Sequence, residues 1–227
     1  MQNGSHAPLD AEIQEPDCAF CQRNTIANVL KETSNFLIAA DHAPLLEGHL
    51  LIIPKQHYSC YGSVPADLDE ELAGVKRELE QFFVRYYAPV VFWEHGIFRQ
   101  TVFHAHLHCF PFGEIEYDPS QNLHSRFVQS QDDVRAWFAA YGQYFYLEHA
   151  RLAALFEPDV ERYLQIIQGV LWRGVATRTR QKIWRSPQQR YEEGIPLIEA
   201  TKVKWRAFQQ EQQGATRADE TRETNAR

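Results

Sequence analysis

Hydrophobic and polar residues follow one another in the first half of the chain in a pattern that predicts a sheet with one packed helix. Residues 35–41 and 48–54 are two short β-rich runs, which we predict to be neighbouring antiparallel strands. Over residues 65–87, apolar residues recur at helical spacing, and acidic residues crowd the first turn, where the helix dipole favours negative charge. Residues 90–94 and 101–110 are predicted as two further strands. The predicted fold class is therefore α+β, with an antiparallel sheet.

The second half of the chain carries a weaker pattern. Residues 143–147 are predicted as a strand, whereas 159–171 and 195–209 have the apolar spacing of helices. These segments are apolar enough to pack on the main core, so we expect a mostly helical C-terminal extension. Residues 209–227 are polar and short of apolar side chains, and we expect this tail to be disordered. The polar N-terminal segment, residues 1–16, is expected to be flexible.

Composition and charge narrow the class of protein. A chain of 227 residues with 44% hydrophobic residues can bury one substantial core. Its apolar runs are far shorter than the roughly 20 residues that span a bilayer, and the polar start has no signal-peptide core, so we expect a cytoplasmic protein. The net charge of −7 weighs against a general nucleic-acid binder and leaves small anionic substrates open. The basic stretch 162–190 could receive distal phosphates, or it could be a solvated surface.

Three histidines alternate with other residues in the last predicted strand of the first half. His104, His106 and His108 would line one face of a strand with a period of two, with Ala105 and Leu107 on the other face. A single histidine of this kind is most simply a satisfied core residue, but three in register indicate a site. From the residues alone, this site is either a catalytic surface or a three-histidine metal site.

The strand resembles the signature of the histidine triad superfamily, in which histidines alternate with apolar residues. The run 100–110 carries this triad, and the segment 48–57, Gly-His-Leu-Leu-Ile-Ile-Pro-Lys-Gln-His, is similar to a second characteristic segment of the family. Residues 18–21, Cys-Ala-Phe-Cys, resemble the zinc-binding start of many members. The three motifs occur in the family's order. We therefore take 17–118 as a histidine triad catalytic domain and 119–208 as the extension packed on it.

The resemblance implies a reaction and its catalytic residues. It implies a fold often found as a homodimer, and attack on the α-phosphorus of a nucleoside phosphate ester, anhydride or amidate. The family's nucleophile matches His106, and neutral imidazole is abundant near pH 7 and forms a labile phosphoramidate. His108 is implied to contact the phosphoryl oxygens or the leaving group, and His49 matches a further active-site histidine of some branches. A histidine at position 108, where the uridylyl-transferase branch has glutamine, favours hydrolysis.

Substrate-binding residues are implied by the same resemblance. Gln100 and Thr101 occupy positions from which family side chains meet the phosphate, and Asp41 aligns with an acidic residue that holds the ribose hydroxyls. The alternative for Asp41 is a turn residue after a strand. Glu94 departs from the family, because it stands where many members carry an asparagine. A carboxylate there would repel a phosphate, and it could instead orient a histidine.

A zinc site is predicted at the Cys-x-x-Cys pair of Cys18 and Cys21, which supplies half of a tetrahedral shell. By resemblance to zinc-containing members, His57 and His104 are the other two ligands. Two thiolates, two neutral imidazoles and Zn²⁺ sum to zero charge, which favours a buried structural site. The alternatives are two buried cysteines or a redox pair, and the redox pair is disfavoured because no strand precedes the motif.

Three functions remain to be separated. The leading one is a nucleotide hydrolase or nucleotidyl transferase that acts on substrates of the dinucleoside polyphosphate type. The second is a metal-binding protein that uses the three-histidine strand, and the third is a nucleotide-binding module without turnover. A second ion on His106 and His108 would favour the metal-binding protein, whereas nucleotide affinity without turnover would favour the silent module.

Overall fold

The computed structural model describes residues 15–22, 26–113, 115, 125–149, 152–178 and 186–225. Most of the N-terminal segment expected to be flexible lies outside these residues, and so does a part of the basic stretch, residues 179–185. Among the helices of the described residues, none has both the length and the apolar character that a membrane span requires.

An antiparallel sheet forms the centre of the described fold. Its eight strands are β1 (Val29–Glu32), β2 (Phe36–Ala40), β3 (Leu50–Pro54), β4 (Val91–Glu94), β5 (Leu107–Phe110), β6 (Ser125–Phe127), β7 (Phe145–His149) and β8 (Leu152–Phe156). Within the described ranges they follow the order β1-β2-β3-β5-β4-β7-β8-β6, and every neighbouring pair is antiparallel. The predicted pairing of 35–41 with 48–54 is confirmed, because Phe36 lies opposite Pro54 and Ala40 opposite Leu50.

Helices cover the two faces of this sheet. They are α1 (Asp69–Tyr86), α2 (Gln131–Tyr141), α3 (Val160–Ile166), α4 (Arg173–Arg178) and α5 (Pro187–Asn225), and a π-helical segment, Ile167–Trp172, joins α3 to α4. The predicted helix 65–87 is confirmed as α1, which a short 3-10 turn precedes. The α+β fold class is thereby confirmed.

Helices α1 and α5 pack on one face of the sheet and share its core. Phe82 of α1 is fully buried, and its ring lies 4.9 Å from that of Trp205 on α5. The Trp205 indole N–H also donates to the Leu30 carbonyl of β1, at 3.1 Å. Burying an indole and pairing its N–H satisfies both the apolar and the polar part of the side chain. The C-terminal helix is therefore an integral part of the core.

The opposite face of the sheet is covered by the segment that contains α3 and α4. Side chains of β4, β5 and β7 form a second buried cluster there with Val170 and Val175. Strand alternation assigns the residues to the two faces, since Phe92 joins the α1 cluster whereas Val91 and Trp93 join the second cluster. His108 of β5 belongs to this second face, because Trp93 lies directly opposite it.

The predicted strand 101–110 is too long, because the observed strand begins only at Leu107. The ladder between β3 and β5 stops at the pair Ile52 and Leu107, just before Pro54, which has no N–H to continue it. The Pro54 carbonyl instead accepts a hydrogen bond from the His104 side chain, at 2.8 Å. His104 and His106 thus lie in a loop, and only His108 lies in the strand.

The C-terminal extension differs from the prediction in two respects. It adds three strands, β6 to β8, to the sheet, and β7 pairs along the whole of β4. The last helix begins at Pro187 and continues to Asn225, so the expected disorder of the tail is corrected for residues 209–225. Glu211 attaches this part of the helix to α1, because it pairs with Arg85 and accepts a hydrogen bond from the Tyr86 hydroxyl.

Candidate active site and metal centre

Two cysteines near the start of the described residues lie close to two histidines from later segments of the chain. The Cys21 N–H donates to the Cys18 carbonyl at 3.1 Å, and this turn brings the two thiols together. The Cys21 sulfur lies 3.2 Å from His57 Nδ1 and 3.6 Å from His104 Nδ1. All four potential ligand atoms lie within 4.8 Å of one another. The predicted metal-ligating residues are therefore brought together.

The orientation of His104 suits a metal ligand. Its Nε2 must donate to the Pro54 carbonyl, which can only accept, so the lone pair of the neutral ring is on Nδ1, toward the cysteines. Burial lowers the pKa of His104 to about 4, so the ring is neutral near pH 7. An imidazole oriented by a backbone carbonyl, together with two sulfur ligands, is a donor set that fits Zn²⁺.

His106 is held in the tautomer that a nucleophile needs. Its Nδ1 donates to the His104 carbonyl at 2.7 Å, which leaves the lone pair of the neutral ring on Nε2. Gln100 donates its amide to the same carbonyl at 2.8 Å. The His106 side chain is only 6% exposed, and burial lowers its pKa. Phe20, between the two cysteines, packs edge-on against the ring at 5.3 Å.

His49 and His108 form a directed hydrogen-bond chain beside His106. The Leu45 N–H points at His49 Nδ1 at 3.3 Å, so the neutral ring carries its proton on Nε2. That nitrogen lies 3.0 Å from His108 Nδ1 and therefore donates to it. The remaining N–H of a neutral His108 is then Nε2–H. The rings of His106 and His108 are 5.0 Å apart.

The charges around His49 have opposite effects on its protonation. Burial lowers the pKa of His49 to about 4, while Asp41 raises it and Arg190 of α5 lowers it. An Asp41 oxygen lies 3.7 Å from His49 Nε2, and the other oxygen accepts the Ala43 N–H at 2.8 Å. Asp41 thus forms the turn that was one of its two predicted roles, with a carboxylate oxygen beside the histidines.

The chain also matches a family model described as "Protein similar to CwfJ C-terminal", over residues 9–127. This match covers just over half of the 227 residues. The chain belongs to this family. The resemblance of its motifs to the histidine triad superfamily is likewise confirmed.

Solved structures of other proteins are similar to parts of this histidine triad protein. A HIT family hydrolase from Clostridium thermocellum has 22% identity and a TM-score of 0.37, over 47% of this chain and 97% of its own. A zinc-bound histidine triad family protein from Mycobacterium smegmatis has 25% identity and a TM-score of 0.36, over 55% of this chain and 94% of its own. A histidine triad nucleotide-binding protein from Candida albicans has 26% identity and a TM-score of 0.35, over 40% of this chain and 72% of its own. No curated protein matches the chain.

The two predicted phosphate-binding residues of this histidine triad protein have different surroundings. The Gln100 side chain is buried, and besides its bond to the His104 carbonyl it accepts the Ile97 N–H at 3.2 Å. A buried amide needs such partners, and these bonds direct Gln100 toward the backbone of the loop. Thr101 is exposed and borders an open cavity of about 480 Å³, which Cys18 and His57 also line.

Glu94 points away from the face of the sheet that carries His108, and among the described residues its carboxylate bonds tyrosines and no histidine. It lies on the α1 face of the sheet and is 2% exposed. One carboxylate oxygen accepts the Tyr61 N–H at 2.7 Å, and the other accepts the Tyr144 hydroxyl at 2.6 Å. Burial raises the pKa of Glu94 to about 7. Adjacent residues of a strand point to opposite faces, so Glu94 lies on the α1 face while its neighbours Trp93 and His95 lie on the other.

His95 is the site residue that sequence reasoning missed. Its ring lies 6.0 Å from that of His108 and 5.8 Å from that of Tyr163 in the extension. The chain turns immediately afterwards at Gly96, with φ of 53°, where an added Cβ would come within 2.5 Å of the Tyr144 carbonyl oxygen. The alternation that places Trp93 on the histidine face could have revealed His95, which follows two residues later.

Proposed function

We propose that this histidine triad protein is a nucleotide hydrolase or nucleotidyl transferase that acts at the α-phosphate of a nucleoside phosphate ester, anhydride or amidate. The observation that carries the proposal is the 2.7 Å hydrogen bond from His106 Nδ1 to the His104 carbonyl. This bond leaves Nε2 as a neutral nucleophile in a ring that burial keeps unprotonated. Dinucleoside polyphosphates are the substrate type that we favour.

The proposed reaction has two displacement steps. His106 Nε2 forms a bond to the α-phosphorus, and the bond from phosphorus to the leaving group breaks, so that the leaving group departs with the electron pair and takes up a proton. Water, or a second phosphate in a transferase, then displaces His106 and releases the nucleotide. One difficult displacement is thereby divided into two easier ones.

The histidines beside His106 supply hydrogen bonds to the reacting group. The chain from the Leu45 N–H through His49 fixes His108 with Nε2–H as its free donor. We assign to this donor the stabilisation of charge on the phosphoryl oxygens or on the leaving group. His49 is assigned the orientation of His108, and the Asp41 oxygen near His49 is assigned to the ribose hydroxyls.

Gln100 acts on this site through the backbone. It and His106 donate to the same carbonyl of His104, so Gln100 helps to fix the acceptor that sets the tautomer of the nucleophile. We also propose that Thr101 contacts the phosphate, as the resemblance implies.

We further propose that Cys18, Cys21, His57 and His104 hold a structural zinc ion. Bound zinc would link the N-terminal segment to the loop before β5 and would supply no chemistry to the reacting phosphate. His104 would belong to both sites, because its Nδ1 faces the thiols while its carbonyl accepts the His106 proton. Phe20, which contacts the His106 ring, lies between two of the ligands. We therefore expect zinc loss to disturb the nucleophile.

The tautomers of His49 and His108 disfavour a second metal site at these two histidines. Asp41, His49 and His108 also lie within 4.8 Å of one another through potential ligand atoms. However, the Leu45 N–H occupies His49 Nδ1, so a metal on Nε2 would require the ring to lose its last proton. The geometry therefore favours a donor chain over a second ion.

A panel of substrates tests the proposed function. Dinucleoside polyphosphates, nucleoside phosphoramidates and nucleotide sugars are incubated with the wild-type protein and with His106→Ala, and bound zinc is counted. We expect turnover of at least one class, a loss of about 100-fold or more in the variant, and one zinc per chain. Nucleotide binding without turnover would instead favour the silent module, and a second ion would favour the metal-binding protein.

The extent of the catalytic unit and its assembly are also proposals. Strand β7 of the extension pairs with β4 in the same sheet as β5, so we propose that residues 17–208 act as one unit. The homodimer implied by the resemblance remains a prediction, to be measured by light scattering. Nucleic acid is not a favoured substrate, because the net charge is −7.

A further inference from the structure

The loop between β4 and β5 has unusual backbone conformations on the side of the site that faces the extension. Ile97 and Arg99 have positive φ angles of 82° and 55°, in addition to that of Gly96. A non-glycine residue in this region is strained and persists only when its surroundings determine its conformation. Here the Tyr144 N–H donates to the Gly96 carbonyl at 3.0 Å, and Gln100 accepts the Ile97 N–H. These bonds fix the loop on both sides of Arg99, whose positive φ is uncommon for an exposed arginine.

Arg99 is a cation without an acidic partner among the described residues. It is exposed, and its guanidinium carbon lies 5.4 Å from the centre of the Tyr163 ring. Within the described part of the chain, no carboxylate lies within ion-pair distance of it. The aromatic contact orients the guanidinium and leaves its N–H donors for another acceptor.

A continuous wall connects Arg99 to the proposed catalytic histidines. Tyr163 stacks on Phe145 at 4.9 Å and lies 5.8 Å from His95, whose ring is in turn 6.0 Å from His108. His95 Nδ1 is buried and has no hydrogen-bond partner among the described residues. An orphaned buried ring nitrogen indicates a partner that is supplied from outside the protein. The negative charge of Asp41 lies beside His49, on the other side of His108.

We propose that Arg99, His95 and Tyr163 form a subsite for the phosphates that lie beyond the α-phosphate, on the leaving-group side of the substrate. The assignment to the leaving-group side rests on the proposed function, whereas binding of a polyphosphate to this surface does not depend on it. Arg99 pairs with phosphate oxygens, as guanidinium does in bidentate recognition. His95 lies between Arg99 and His108, and its Nδ1, the acceptor of a neutral ring whose other nitrogen bonds the Phe98 backbone, takes a hydrogen bond from a substrate hydroxyl or a bound water. The subsite thus makes the protein prefer an anionic polyphosphate leaving group to a neutral amine or alcohol.

Binding of inorganic tripolyphosphate to the full chain tests the subsite without any turnover. Isothermal titration calorimetry compares the wild type with Arg99→Ala and with Arg77→Ala, which removes an exposed cation of α1 on the other face of the sheet. We expect Arg99→Ala to weaken binding at least about tenfold, Arg99→Lys to weaken it less, and Arg77→Ala to bind like the wild type. Equal affinity of Arg99→Ala and the wild type, or no binding by the wild type, would overturn the proposal.

Kinetics separate this inference from the proposed function. The ratio of kcat/KM for a dinucleoside triphosphate to that for a phosphoramidate of the same nucleoside measures the preference for an anionic leaving group. We expect Arg99→Ala to lower this ratio at least about tenfold and Arg77→Ala to keep it. An unchanged ratio in Arg99→Ala would refute the subsite while the reaction stands. If the wild type turns over none of the three substrate classes, the proposed function fails, and tripolyphosphate binding still decides the subsite.

Discussion

Glu94 allows a prediction whose magnitude follows from the structure. Its carboxylate is buried between the Tyr61 N–H and the Tyr144 hydroxyl, and burial raises its pKa to about 7 from an ordinary value of 4.5. The folded protein therefore binds the proton more tightly than the unfolded chain does. The resulting stabilisation is fully present below about pH 4.5 and is lost as the pH rises through about 7. The variant Glu94→Gln removes this titration and keeps an acceptor for Tyr61.

The expected size of the effect is a few kcal/mol. Each tenfold difference in proton affinity corresponds to about 1.4 kcal/mol, so the change of pKa from 4.5 to about 7 corresponds to about 3 kcal/mol. Between about pH 5 and 8, the wild type should lose about 2 to 3 kcal/mol of unfolding free energy relative to Glu94→Gln. Any fixed cost of the amide is independent of pH and cancels in this comparison.

Urea unfolding at about pH 5, 6, 7 and 8 measures this difference. Buried histidines such as His49 and His104, whose pKa values are lowered to about 4, act in the opposite direction. Their stabilisation is present above about pH 6.5 and is lost as the pH falls through about 4, equally in both proteins. Parallel curves of stability against pH for the wild type and Glu94→Gln would refute the assignment of a raised pKa to Glu94.

Three further predictions address the core, the metal and the donor chain. Trp205→Ala should lower the unfolding free energy by about 3–5 kcal/mol in urea titrations, because its ring packs on Phe82; a loss below about 1 kcal/mol would show that α5 is not part of the core. Chelation to verified zinc loss, and Cys21→Ser, should both lower Tm, and an unchanged Tm in a protein proven to be metal-free would contradict a structural site. His49→Gln should lower kcat about 100-fold or more because His108 loses its oriented partner, and a kcat near that of the wild type would remove His49 from the mechanism.

Local sequence patterns predicted those elements whose burial is visible in a short stretch of neighbouring residues. Strands β2 and β3 are continuous apolar runs, and α1 carries its buried residues at helical spacing, so their environment is visible in neighbouring residues. The Cys-x-x-Cys and triad motifs likewise identified side chains that the structure brings together from distant segments. In these cases, the spacing itself carries the physical information.

Features that depend on long-range pairing were not visible in the sequence. The shortened β5 depends on where its ladder with β3 stops, and the faces of Glu94 and His95 depend on the register of β4 with β5. The helix predicted over 195–209 is part of the longer α5, which begins at Pro187 and contains Pro196. Its contacts with α1 lie more than a hundred residues away in the chain, so local propensity carries no record of them.

The bond between His106 and a nucleotide is the most direct test of the proposed mechanism. The wild type is mixed with excess dinucleoside triphosphate, quenched in alkali to preserve a phosphoramidate, and weighed by intact-protein and peptide mass spectrometry, with His106→Ala treated in parallel. We predict a mass increase of one nucleotidyl group on the peptide that contains His106, and none in the variant. Turnover by the wild type with no adduct on that peptide, together with equal turnover by His106→Ala, would contradict the mechanism.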